Sequence, residues 1–186
     1  MKTLLWFFNI VDWLNETIGN IFGYLILTLT FLIFADIFLR YVFGWPIIWG
    51  MEVNQYQLIT LVFISGGYAY LHNGHVRVDV LYERLSNRAK AFLNLITSFF
   101  VFLVCIILII YGYDVALEAF VNDHRATTVI ASPLWPSYLM IPLGALLLGL
   151  QSLVNWLRDL IFVVTGEPIL SKYMSGEGGI FVRDGE

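Results

Sequence analysis

The residues best suited to acid–base or ion chemistry stand at the edges of long uncharged segments. Asp36, Glu52 and Asp114 each mark an end of such a segment, never its middle. An ionisable group at the centre of a membrane span is costly and normally marks a proton or ion path. At an end, simpler roles suffice. Asp36 and Arg40 have the i,i+4 spacing of a same-helix ion pair, worth about 0.2–0.5 kcal/mol. Glu52 opens an apolar segment, where a carboxylate complements a helix N-terminus. Structural roles are therefore the leading reading of these acids. His72 and His75 lie at one end of the second apolar segment and His124 lies on the opposite side. Bis-histidine haem ligation needs two rings facing each other from different helices at one depth, which these three do not supply, so no haem and no other cofactor is expected. Cys105 is the single cysteine. It has no disulfide partner within the chain, and apolar surroundings make it a poor nucleophile. No catalytic centre and no metal cluster is expected.

Other polar residues sit inside the apolar segments at helical spacing. Asn54, Gln57, Thr60 and Ser65 include several that share one face, and such groups usually bond across to a neighbouring helix for about 0.6 kcal/mol each. Ala145, Gly149 and Ser152 form a small-residue row that lets another helix approach closely. Pro133 and Pro136 fit first turns, whereas Pro142 lies deeper and predicts a kink. A binding site at that kink is a minor reading, because no second broken segment pairs with it as transporter repeats require.

The elements that must position these residues follow from the charge pattern. Thr17–Ala35, Val53–Leu71, Ala91–Tyr113 and Ala126–Leu157 contain no charged side chain. A hydrocarbon core about 30 Å thick is crossed by roughly 20 apolar helical residues. The composition agrees, with 59% hydrophobic and 13% charged residues and a mean hydropathy of +0.79. Barrel strands would alternate over about ten residues, and Phe99–Ile110 does not. The expected fold is an all-α integral membrane protein with four transmembrane helices at about 17–38, 53–71, 91–113 and 133–157. Residues 17–157 would form that membrane domain and 158–186 a Gly-rich cytoplasmic tail.

Residues 1–16 predict an amphipathic interfacial helix rather than a cleavable signal. Asn9, Asp12 and Glu16 share one face, Leu4, Phe7, Phe8, Val11 and Leu14 the other, and Trp6 and Trp13 suit the headgroup level. The net charge of −4 supplies no basic footprint for nucleic acid. Four spans place both termini and the 71–91 loop on one side. Lys2, Arg77, Arg84, Arg88, Lys90, Arg158, Lys172 and Arg183 gather there, against Arg40 and Arg125 opposite. This positive-inside bias predicts cytoplasmic termini; in a bacterial cell the chain would then lie in the inner membrane with its outer loops facing the periplasm. Three function classes remain open on these grounds: a non-catalytic transporter subunit, a membrane anchor of a redox complex, and a self-contained small homodimeric carrier.

The most distinctive segment is Gly74-His75-Val76-Arg77-Val78-Asp79-Val80-Leu81 after the second span. It resembles the small permease (DctQ-type) subunit of tripartite ATP-independent periplasmic (TRAP) transporters. Trp49 and Glu52 before span two, Ser132-Pro133-Leu134-Trp135-Pro136 and Ile141-Pro142-Leu143-Gly144 are similar as well, so the likeness covers roughly residues 23–154. The resemblance implies a scaffold beside a large TRAP permease subunit that carries the substrate and sodium sites. It also implies a periplasmic binding protein that delivers an organic acid. His75, Arg77 and Asp79 then become cytoplasmic-side structural or interface residues, with Arg77 also a contact for membrane lipid phosphate. Trp49 and Glu52 become candidates for contact with a partner. Asp114, Glu118, Asp123, His124 and Arg125 are further candidates for an outer docking surface.

Overall fold

The computed structural model describes residues 2–72 and 87–165. Among the described residues the fold is helical, with no strand beyond an isolated bridge between Arg125 and Pro133. The helices are α1 (Lys2–Gly23), α2 (Leu25–Phe43), α3 (Gly50–Ile64), α4 (Gly66–Leu71), α5 (Asn87–Val121) and α6 (Trp135–Thr165). Among the described residues three stretches are long and apolar enough to cross a membrane: Leu4–Phe43, Ala89–Val121 and Trp135–Thr165.

Chain chemistry explains the breaks. α1 runs through Glu16 without interruption and meets α2 at a single turn residue, Tyr24. α2 ends where Gly44 adopts φ 71°, a left-handed conformation open to glycine without penalty. The Trp45 amide then donates back to the Leu39 carbonyl at 3.2 Å, closing a Schellman turn. Asp36 holds the following loop, accepting from the Ile47 amide and from Arg40, each at 2.7 Å. The segment expected to form one span over 53–71 is divided. The Ser65 hydroxyl donates to the Leu61 carbonyl at 2.5 Å, and the helix ends there before restarting at Gly66. A serine followed by glycines is a weak point in a helix.

α5 and α6 form the most extensive helix pair, and α6 also packs on α3, α4 and α1. α5 has 35 residues, about 52 Å of helix, longer than a hydrocarbon core of about 30 Å. Pro142 is buried inside α6, beside Gly112 of α5. Gly144 marks a close approach of α6 to α3, since a Cβ there would fall 2.2 Å from the Phe63 carbonyl oxygen. Phe8, Val11 and Val154 make a small apolar core between α1 and α6, flanked by Leu150 and Leu157. By contrast, α2 buries none of its residues.

Candidate functional site

Two buried polar clusters stand out, one near each end of α6. The inner one is built on Asp12 of α1, which is fully buried, and Arg158 of α6, which is 2% exposed. Arg158 Nη2 donates to Asp12 Oδ2 at 2.6 Å and Nη1 to Oδ1 at 3.3 Å, a two-point ion pair. The guanidinium also lies 5.1 Å from the centre of the Phe8 ring, within cation–π range. Gln151 Nε2 donates to Asp12 Oδ1 at 2.9 Å, and Gln151 Oε1 accepts from Asn15 Nδ2 at 2.9 Å. Asn15 Nδ2 is shared with the Val11 carbonyl. The Asn15 amide packs directly on Gly67 of α4, leaving no room for a Cβ. Asn155, Tyr70, Ser152 and Ser98 extend the network at 3.4–3.5 Å through α4 and α5. Beside it His72, capping α4, meets Glu16 of α1 at 2.6 Å.

A buried pair of this kind balances its own charge. Desolvating either partner alone costs several kcal/mol, which their mutual attraction and added hydrogen bonds offset. The chemical capacity of this cluster is therefore to fasten α1 and α4 to α6.

The outer cluster is built on Glu52, in the first turn of α3 and 4% exposed. Its two carboxylate oxygens accept from the hydroxyls of Thr128 and Ser132. Both donors belong to the connection between α5 and α6. That connection is folded as a narrow hairpin: the Ala126 amide donates to Ser132 and the Leu134 amide to His124, each at 2.9 Å. The Tyr56 hydroxyl, one turn below Glu52, donates to the Pro133 carbonyl. The carboxylate thus latches the hairpin to α3. At the hairpin's outer face Arg125 Nε donates to Asp123 at 2.9 Å. That bond, with the carboxylate's charge, raises the Arg125 pKa further above its ordinary value.

Residues 29–162 match the family described as "Tripartite ATP-independent periplasmic transporters, DctQ component". The chain belongs to the DctQ family. It is 28% identical over 126 residues to the ectoine TRAP transporter small permease protein TeaB of Halomonas elongata, a match covering 68% of this chain and 65% of TeaB. It is 24% identical over 159 residues to a putative TRAP transporter small permease protein of Haemophilus influenzae, covering 86% of this chain and 97% of that protein. The chain is accordingly a small permease of the bacterial inner membrane, in a family of transporter subunits and not of enzymes.

Within this DctQ chain the residues singled out from sequence fall in different places. His75, Arg77 and Asp79 lie outside the described residues. Trp49 is exposed just ahead of α3, whereas Glu52, one turn on, is covered by the hairpin. Ala145 and Ser152 are buried on α6, and Gly149 faces Cys105 of α5 with room for a Cβ at 3.6 Å. Asp114, Glu118, Asp123, His124 and Arg125 are all exposed. Sequence reasoning missed the inner cluster. Its signal was present: Gln151, Asn155 and Arg158 recur at helical spacing on one side of an otherwise apolar stretch. The wheel grouped Asp12 with Asn9 and Glu16, but the structure buries Asp12 and leaves Asn9 exposed.

Proposed function

We propose that this DctQ protein is the fixed, non-transporting support of a TRAP system. It crosses the membrane four times with both termini cytoplasmic and packs beside a large permease subunit. That subunit carries out sodium-coupled uptake of an organic acid handed over by a periplasmic binding protein. One observation carries the reading: three of the buried charges, Asp12, Arg158 and Glu52, are engaged by bonds within the chain, near the two ends of α6. Groups tied in this way hold neighbouring helices together. Exposed Trp49, Asp114, Glu118, Asp123, His124 and Arg125 supply an outer surface on which the soluble component docks. His75, Arg77 and Asp79 serve the cytoplasmic-side contact. The Halomonas relative is named for ectoine transport; on this reading the substrate here is chosen by residues of the other subunits.

Co-purification tests it. A tagged chain expressed with its neighbouring genes and extracted in mild detergent should bring down one larger membrane protein in stoichiometric amount, identified by mass spectrometry. Recovery alone as a stable oligomer would favour the small-carrier class, and a haem absorption band would favour the redox anchor.

A further inference from the structure

The latch at Glu52 leaves one electrostatic question open, because it is built without a cation. Glu52 is almost completely buried, yet among the described residues no lysine, arginine or histidine comes within ion-pair distance of it. The cations on this side are taken: Arg40 pairs with Asp36 at 2.7 Å and Arg125 with Asp123 at 2.9 Å. Two hydroxyls satisfy part of the carboxylate's hydrogen-bonding capacity, which is about four acceptor positions. They do not neutralise its charge, and a desolvated charge is normally kept only when paired.

Glu52 also lines a recess between α3 and the start of α6. Ile59 and Leu134 give it apolar walls, Tyr56 and Tyr138 give aromatic ones, and Gln55 stands at its exposed side. The cavity measures about 40 Å³. That is room for about three waters at roughly 10–15 Å³ each, a size that suits the head of one side chain. Apolar and aromatic walls leading to an acidic end match a side chain with an aliphatic stem and a cationic head. Ile59 lies seven residues beyond Glu52, about 10 Å further along α3 and inside the apolar segment. The recess therefore runs from the hairpin along the charge-free segment 53–71, the side a membrane-embedded partner would meet.

We propose that the recess between α3 and α6 receives a lysine or arginine side chain from the larger membrane subunit, which pairs with Glu52 and completes the site. The inference rests on the partnership proposed above and adds a contact point to it. Glu52 is then not a surface charge meeting a partner directly. It is a buried counter-ion beneath the hairpin, reached by one inserted side chain.

The test uses the complete transporter in membranes, with Gln55→p-benzoylphenylalanine as a photo-crosslinker at the edge of the recess. The expected product joins this chain to the larger membrane subunit through a peptide containing lysine or arginine. Glu52→Gln, checked for an unchanged unfolding temperature, should lower crosslink yield and partner recovery by about tenfold or more. Crosslinking to lipid alone, to the soluble binding protein, or to a peptide with no basic residue would overturn the inference. So would full partner recovery with no crosslink, and that result would leave the partnership itself standing. Absence of any larger membrane partner would remove both. The crosslink in the otherwise unaltered chain decides the matter even if Glu52→Gln fails to fold.

Discussion

Asp12 and Glu52 are both buried carboxylates in an apolar bundle, and they are answered in opposite ways. Asp12 meets a full guanidinium at 2.6 Å, a glutamine amide and an aromatic shelf for its partner, all supplied by α1 and α6. Glu52 meets two hydroxyls from a loop and borders a cavity. At the inner site the Asp12 charge is answered by Arg158 within the chain. The outer one has two hydroxyl donors and no cation among the described residues. The first belongs to folding, the second to assembly.

Substitutions can break or sharpen that contrast. The largest effect is expected at Arg158→Met, which strands the Asp12 carboxylate in apolar surroundings and should cost about 3–5 kcal/mol. Unfolding in detergent should show it as a large fall in midpoint. Pairing it with Asp12→Leu should recover most of that loss, because replacing a whole buried ion pair with apolar groups is often close to neutral. A mild single variant would mean the pair is not the brace described here. Next comes Gly144→Val, which drives side-chain atoms into the Phe63 carbonyl and should cost about 1–3 kcal/mol by forcing α3 from α6. Gln151→Leu removes a donor from Asp12 and an acceptor from Asn15, at about 1–3 kcal/mol. Glu52→Gln should leave global unfolding nearly unchanged while amides of residues 126–134 exchange faster, a local opening readable by hydrogen exchange. Arg40→Ala should be smallest, about 0.2–0.5 kcal/mol, as for an exposed i,i+4 pair.

How much of this was legible beforehand differs between the two ends. The apolar segments and the Asp36–Arg40 pair follow from hydropathy and spacing. The turn at Ser65 is visible only as a serine before two glycines, because apolar continuity across 53–71 masks a local hydrogen bond. The inner cluster escaped because a helical wheel separates polar from apolar faces and assumes the polar one meets water. Arg158, counted among the charges that orient the chain, is instead buried against Asp12 across 146 residues of sequence. No local pattern links two such distant positions. The Glu52 latch needed the hairpin fold of residues 122–134, which hydropathy does not encode. Membership of the DctQ family was legible through a segment whose structure lies outside the described residues, while the buried clusters became visible only in three dimensions.

The most direct test sets the two clusters side by side in one pull-down. Tagged wild-type chain, the Asp12→Leu/Arg158→Met pair and Glu52→Gln would be expressed with their neighbouring genes, and the larger membrane partner quantified on each. The double variant is expected to fold and keep its partner at the wild-type level, while Glu52→Gln folds and loses most of it. Loss of the partner by the inner double variant, with full retention by Glu52→Gln, would contradict the division of the molecule into a closed brace and an open assembly site.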